Sequence, residues 1–374
     1  MKNKINILLG LTLKNSISSW NMNGTLQREL DLYINLLKNK KINLTILSYS
    51  KVNEDILIKD YLNFNINIIY NNLNLPIFLF FFYILFFKFK YLKKIDIYKS
   101  NQEHGALIVL LFSKIFFKKF IFRSGFSLRH HILKKYGKYS LKYLYALINN
   151  YLCCKFSNLI FITSKKYQKY YFSFNNKIRI VPNFIPSYFF ENITNFKKNK
   201  KNKFDFIYIG RLSDEKNYKF VIELAQKLKN FKFIIISKDI KKIKEYYRNI
   251  KLLNVVNNTE LKNYLEISKF LILPSLYEGH SKVLIESMSL GVPAFIKKSE
   301  NISDFIIDNE TGLLFNNIED FIQKLTSINN TNIKYIKISN NIKNIALNKF
   351  SVFKISDKEF SYYKDLYLNE TTIN

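Results

Sequence analysis

The strongest constraint on this chain is a strand–helix alternation that runs twice along its 374 residues, with a polar gap between the two runs. The apolar run from Ile5 to Leu11 predicts a buried first strand, followed by a polar loop through Asn21, Asn23 and Gly24. From Thr25 to about Asn39, Leu26, Leu30, Tyr33 and Leu37 recur on one helical face. Further strands are expected at Ile42 to Leu47, Asp96 to Lys99, Phe120 to Arg123, Leu159 to Thr163 and Ile178 to Pro182. Between Phe189 and Lys203 the pattern dissolves into Asn, Lys and Thr, the composition of a linker. The second run opens with a strand at Phe204 to Ile209, a loop at Gly210 to Lys216 and a helix from Asn217 to Lys229. Phe231 to Ser237, Asn254 to Val256 and Phe270 to Pro274 read as its later strands, with Thr259 as the N-cap of a helix running to about Ser268. Strands separated by helices pair in parallel, because each crossover returns the chain to the same end of the sheet. The expected fold class is therefore α/β, with Rossmann-like domains at 1–190 and 203–350 whose parallel sheets face each other across a cleft.

Charge narrows the partners less than its size suggests. Lys and Arg number 59 against 28 Asp and Glu, a formal net charge of +31, which invites a nucleic-acid reading. The excess is spread along the whole chain, with only short clusters such as Lys197-Lys198-Asn199-Lys200-Lys201. No RNA-binding aromatic motif, zinc finger or helix-turn-helix accompanies it. Attraction to nucleotide phosphates or to an anionic membrane is the expectation, and nucleic acid is not an expected partner. Cys153 and Cys154 are sequence neighbours, so an ordinary disulfide between them is not expected, and the four histidines are too dispersed for a zinc site. A reducing cytoplasm fits. The first apolar run lacks the small-residue cleavage site of a signal peptide and passes straight into Lys14.

One segment breaks the alternation. Pro76-Ile77-Phe78-Leu79-Phe80-Phe81-Phe82-Tyr83-Ile84-Leu85-Phe86-Phe87 is apolar on every face, and Lys88, Lys90, Lys93 and Lys94 follow it. A spanning helix needs about 20 apolar residues, so this run is too short to cross a bilayer. Two readings stand: a deeply buried core helix, or a monotopic patch that dips into a bilayer while the lysines meet anionic headgroups.

The chemistry concentrates in two loops of the second run. Phe270 to Pro274 leads into Glu278-Gly279-His280-Ser281-Lys282-Val283-Leu284-Ile285-Glu286-Ser287, which reads as strand, glycine loop and helix start. A helix beginning near Ser281 turns its free N–H groups and positive end toward the loop, ready for a pyrophosphate. Gly279 lets the backbone approach a ligand closely. Glu278 and Glu286 are eight residues apart, and a helical path of that length rises about 12 Å. The carboxylate pair of a glycosidase stands about 5 to 9.5 Å apart, so these two read instead as clamps on the ends of one extended ligand. In the other loop, Gly210-Arg211-Leu212-Ser213-Asp214-Glu215-Lys216 places two fixed cations after the first strand of the domain. They suit a diphosphate whose negative charge grows as it leaves.

Together these stretches resemble the retaining glycosyltransferases of family 4 (glycosyl transferases group 1), which have the GT-B fold. The resemblance extends over most of the chain and is carried by Gly210-Arg211-Leu212 with Glu215-Lys216, Leu273-Pro274-Ser275-Leu276-Tyr277-Glu278-Gly279, Glu286-Ser287-Met288-Ser289-Leu290-Gly291-Val292-Pro293 and Thr311-Gly312-Leu313-Leu314-Phe315. Ile180-Val181-Pro182-Asn183-Phe184 looks like the segment that ends the family's first domain. The resemblance implies an acceptor-binding N-terminal domain, onto which a last helix at about 356–374 packs back. It also implies a catalytic set of Glu278, Arg211 and Lys216: the two cations neutralise the donor diphosphate and Glu278 touches the sugar hydroxyls. Glu286 accepts hydrogen bonds from the nucleotide ribose. Backbone amides of Gly279, His280, Ser281, Val283 and Leu284 hold phosphate and sugar, and Gly24 approaches the phosphates from the other domain. Closure of the cleft excludes water. The family keeps the anomeric configuration and usually needs no divalent metal, and no Asp-x-Asp motif occurs here. No cofactor is expected, the nucleotide sugar being a substrate.

Three departures from the family pattern are visible. The loop Asn21-Met22-Asn23-Gly24 is poorer in glycine, and Phe122-Arg123-Ser124-Gly125 stands where many members carry a histidine. Arg123, His104 and His130 are the candidates for contact with the acceptor. Asn217 occupies a position where glycine is common. The expected function is transfer of a sugar, with retention, from a nucleotide-diphosphate sugar to a lipid-linked or cell-surface glycan in polysaccharide or lipopolysaccharide biosynthesis. The protein is expected in the cytoplasm, in peripheral contact with the anionic inner face of the membrane. The rivals are a nucleotide-sugar epimerase of the same architecture and a non-catalytic basic membrane- or nucleic-acid-binding protein.

Overall fold

A computed structural model describes residues 4–39, 41–64, 66–190, 202–277, 280–299, 304–329 and 332–371. β1 (Ile5–Gly10) leads through α1 (Ile17–Met22) and α2 (Leu26–Lys38) to β2 (Ile42–Leu47), β3 (Ile66–Ile69), α3 (Ile77–Phe87) and α4 (Phe89–Leu92). β4 (Ile97–Ser100), α5 (Ala106–Ile115), β5 (Lys119–Ser124), α6 (Leu128–Tyr136), α7 (Leu141–Phe156), β6 (Leu159–Ile162) and β7 (Ile178–Ile180) follow. Next come β8 (Phe204–Ile209), α8 (Tyr218–Lys227), β9 (Phe233–Ile236), β10 (Ile250–Leu253), α9 (Asn258–Glu266), β11 (Ser268–Leu273) and α10 (Lys282–Ser289). β12 (Ala294–Lys297), β13 (Leu313–Phe315), α11 (Ile318–Asn329), α12 (Asn332–Lys349) and α13 (Val352–Thr371) close the order.

The chain divides into two units: Met1–Met22, Glu29–Pro182 and Ile355–Asn374 in the first, Asn23–Arg28 and Asn183–Lys354 in the second. The first holds a seven-stranded sheet in the order β3-β2-β1-β4-β5-β6-β7, with every pairing parallel. The second holds a six-stranded sheet, β10-β9-β8-β11-β12-β13, again parallel throughout. The fold is α/β, built of two parallel sheets with helices. Strands such as β4, β6 and β9 are buried at every position, as sheets covered on both faces require. In the second unit the aromatic richness of the sequence becomes core. The Phe206 ring lies 5.0, 5.9, 6.1 and 5.6 Å from those of Phe233, Phe270, Phe295 and Phe321.

Several local expectations are corrected. The strand expected at Asn254 to Val256 lies at Ile250–Leu253, which pairs with Phe233–Ile236. Asn254 instead takes the Val255 N–H on its own side chain at 2.9 Å, ending the extended run. Asn257, not Thr259, caps α9, its Oδ1 accepting the Glu260 N–H at 2.9 Å. The first unit runs to Pro182 and the second resumes at Asn183, and the short segment Asn23–Arg28 groups with the second unit. The linker residues 191–201, with the Lys197–Lys201 cluster, lie outside the described residues. The apolar run after Pro76 does form a helix, but it is not deeply buried. Phe80 and Ile84 point inward, while Phe78 and Phe86 are 70% and 72% exposed. Among the described residues no helix is long and apolar enough to cross a membrane.

Candidate functional site

In an open parallel sheet, ligands bind beyond the carboxyl ends of the strands where the strand order reverses. In the second unit that point lies between β8 and β11. The two loops leaving these strands are the ones singled out by sequence. After β8, the Tyr208 hydroxyl donates to the Arg211 carbonyl at 2.8 Å and Lys242 Nζ donates to the Leu212 carbonyl at 3.2 Å, fixing the loop. Arg211 projects from it, its side chain 69% exposed, with Glu215 3.7 Å away. An exposed pair of that length contributes little, so the guanidinium can turn to an incoming anion. Lys216, half-buried, ends a 3-10 turn at Asp214–Lys216. Asn217 then takes φ +50 and ψ 43. This left-handed conformation explains why glycine is common there and why asparagine, which tolerates it, serves here.

The β11 loop is tied to the β8 loop directly. The Leu276 N–H donates to the Glu215 carbonyl at 2.9 Å, and Asn217 Nδ2 donates to the Pro274 carbonyl at 3.3 Å. α10 starts where expected: Ser281 is its N-cap, and its hydroxyl accepts the Leu284 N–H at 3.4 Å. That N–H is committed to the cap rather than to a ligand. Val283 is half-buried and Leu284 buried. The His280 ring packs among Phe305 and Phe350, at 5.3 and 4.9 Å, so it serves the core rather than the loop surface. Its carbonyl accepts a hydrogen bond from Asn183 Nδ2 at 2.6 Å. Glu278 and Gly279 lie outside the described residues.

Glu286 sits within α10 with no exposed surface, and Arg28 Nη1 reaches its Oε1 at 3.2 Å. A buried carboxylate needs a cation or several donors to keep its charge, and Arg28 is the cation. Gly24 belongs to the same short segment and adopts φ +63. A Cβ there would stand 2.5 Å from the Val256 carbonyl oxygen, so only glycine lets the segment lie this close to the loop after β10. Lys238 Nζ also reaches Asn23 Oδ1 at 3.2 Å. Arg28 and Asn183 were not foreseen from sequence. The signal for Arg28 was indirect: a glutamate inside an otherwise apolar helix face must find a cation somewhere.

In the first unit the order reverses between β1 and β4, where the Leu13 N–H donates to the His104 carbonyl at 3.0 Å. His104 is half-buried beside Tyr145, and burial lowers its pKa. His130 lies apart on α6, its ring 5.0 Å from that of Tyr170. Arg123, next to the end of β5, is almost fully buried, 3.8 Å from Glu359 of α13. Its charge balances the core end of α13. Lys99 completes the cluster, bonded to Glu359 and to the hydroxyls of Tyr33 and Tyr363 at 2.8 and 3.0 Å. Glu103 is also buried, accepting from Ser124, Tyr171 and the Leu128 N–H, and burial raises its pKa. Among the described residues no group of three or more His, Cys, Asp or Glu side chains could hold a metal ion.

Residues 189–345 match the family model described as Glycosyl transferases group 1. A UDP-Gal:alpha-D-GlcNAc-diphosphoundecaprenol alpha-1,3-galactosyltransferase of Escherichia coli is 29% identical over 187 residues, 46% of this chain and 48% of that protein. The capsular polysaccharide biosynthesis glycosyltransferase CapH of Staphylococcus aureus is 26% identical over 202 residues, 48% of this chain and 52% of that protein. The chain thus spans about half the length of the curated relatives it matches. Among solved structures, Anabaena Alr3699/HepE in complex with UDP-glucose aligns with a TM-score of 0.72 at 13% identity, covering 96% of this chain and 99% of that one. Agreement over both chains at so low an identity is agreement of fold, and the fold is GT-B.

Proposed function

We propose that this chain moves a sugar from a nucleotide-diphosphate donor to a glycan acceptor in surface-polysaccharide biosynthesis. The observation that carries the reading is the strand-order reversal of the second unit, where the Arg211/Lys216 loop is hydrogen-bonded to the loop that leaves β11 and leads to α10. In this reading Arg211 and Lys216 take the growing charge of the leaving diphosphate, and the positive end of α10 adds to it. Glu278 holds hydroxyls of the sugar. Glu286, paired with Arg28, accepts from the ribose. Transfer proceeds with retention and without a divalent metal, and the acceptor is lipid-linked, met by the first unit at the inner face of the cytoplasmic membrane. The galactosyltransferase relative, whose name specifies a diphosphoundecaprenol acceptor, supports the lipid link.

The test is a thermal-shift screen against UDP-, GDP- and ADP-sugars, with Glu286→Ala and Lys216→Ala each compared with its own unliganded melting point. A donor near a hundredfold its Kd contributes about 2.7 kcal/mol, or roughly 5 °C in a protein of this size. Wild type should show such a shift with at least one donor, and both variants should lose most of it. No shift in wild type, or unchanged shifts in both variants, defeats the site assignment. Product analysis with and without a lipid-linked acceptor then separates transfer from epimerisation.

A further inference from the structure

We propose that the outward side of the α3–α5–α7 layer in the first unit is a docking face for an anionic lipid bilayer. The inference deepens the functional reading and rests on it for the lipid-linked acceptor, while the surface itself is argued from geometry and charge. Phe80, Ile84, Phe112, Cys153 and Cys154 turn inward from these helices and share one core with Phe120, Phe122, Ile160 and Ile162 of the sheet. The three helices therefore form one layer over one sheet face. Phe81 stacks on Phe112 at 4.7 Å and Phe89 meets Phe116 at 5.2 Å, so α3 and α4 lie against α5.

The outer side of that layer is apolar where a water-facing helix should be polar. Phe78, Phe82 and Phe86 form a stripe along α3 at one-turn spacing, with neighbouring rings 4.8 and 6.4 Å apart. Phe117, 91% exposed just beyond α5, continues the apolar surface. Single exposed apolar residues need no explanation, but a contiguous aromatic row does. The charge around it is predominantly positive. From Pro76 to Phe190 the acidic residues are Asp96 and the buried Glu103 alone, while Lys88, Lys90, Lys93 and Lys94 follow the stripe. Lys114 and Lys155 hold their ammonium groups over the Phe156 ring at 5.7 and 5.6 Å. A second copy would set these lysines against their own kind. A nucleic acid would leave the phenylalanines in water. An anionic bilayer accepts both, rings below the headgroups and lysines among them.

Co-sedimentation of the full-length protein with vesicles of phosphatidylcholine alone, or with phosphatidylglycerol added, tests this. Wild type should bind the anionic vesicles at least about tenfold better than the neutral ones. Phe78→Ser, Phe82→Ser and Phe86→Ser together should cut binding about a hundredfold, because about 1 kcal/mol per partly inserted ring is lost. Lys90→Glu with Lys93→Glu should cut it about tenfold or more. Wild type that ignores anionic vesicles overturns the proposal. So does either variant binding like wild type, or a wild-type dimer that the serine variant dissolves with vesicle binding unchanged. If the serine variant melts low, the lysine variant carries the test. The nucleotide-sugar shift, measured on the same samples, should survive in both variants. Its absence from wild type defeats the donor reading and leaves the vesicle result standing.

Discussion

Glu359→Gln keeps the shape of α13 and removes the charge that balances Lys99. Burial holds Lys99 down to about 8, against the upward pull of Glu359. Burial by itself would raise Glu359, but Lys99 and Arg123 outweigh it and keep its carboxyl below the ordinary range. At pH 7 a lysine titrating near 8 holds its proton by about 1.4 kcal/mol. That is the most the variant can lose through Lys99 before the amine goes neutral. Arg123 and Tyr363 also lose a charged acceptor, about 1.5–3 kcal/mol. The total, about 3–4 kcal/mol, lies within the about 3–5 kcal/mol that breaking a buried pair costs. The sign of the pH dependence follows from linkage. Native Lys99 titrates below its unfolded value, so the unfolded state binds more protons and stability rises with pH between the two pKa values. In the variant that rise starts at lower pH, so the gap between the proteins should narrow by about 1 kcal/mol as pH rises through 8. Urea unfolding followed by the fluorescence of Trp20, the single tryptophan and a buried residue of the first unit, reads this directly. A loss under about 1 kcal/mol, or a gap constant with pH, would falsify the assignment of a charged cluster here.

Two backbone predictions probe the second unit. Asn217→Gly should leave stability within about 0.5 kcal/mol of wild type, whereas Asn217→Val should cost about 1–2 kcal/mol by calorimetry, because a β-branched residue resists positive φ. Equal effects of the two would contradict a left-handed residue at that position. Gly24→Ala meets both a positive φ and the Val256 carbonyl, and should cost about 1–2 kcal/mol. An alanine variant that melts with wild type would show that the segment does not sit against that loop.

Much of this architecture was legible because parallel strands buried on both faces announce themselves as apolar runs. β2 and β8 have the bounds that Ile42–Leu47 and Phe204–Ile209 suggested, and Ser281 caps the helix it was expected to start. β10 was missed because none of its four residues is fully buried and Leu252-Leu253 break the alternation begun by Ile250 and the exposed Lys251. The helix after Pro76 could not be resolved between core and surface, since an all-apolar stretch has no polar face to give its orientation away. Partners far apart in sequence were invisible: nothing local to Glu286 points to Arg28, and nothing near Arg123 points to Glu359. Arg123 was read as a contact for substrate because its segment stands where many members of the resembled family carry a histidine. The depth of its burial belongs to α13, an element that sequence periodicity does not position.

The first unit includes α13, and this has a consequence for how the molecule is made. Glu359 is synthesised 260 residues after Lys99, the amine it neutralises. Domains generally fold as units in the order of synthesis, yet here Asn183–Lys354 emerges in full while the first unit still lacks its countercharge. The unit that starts first thus finishes last. A released chain truncated after Lys354 should hold a protease-resistant second unit beside a first unit still open to cleavage.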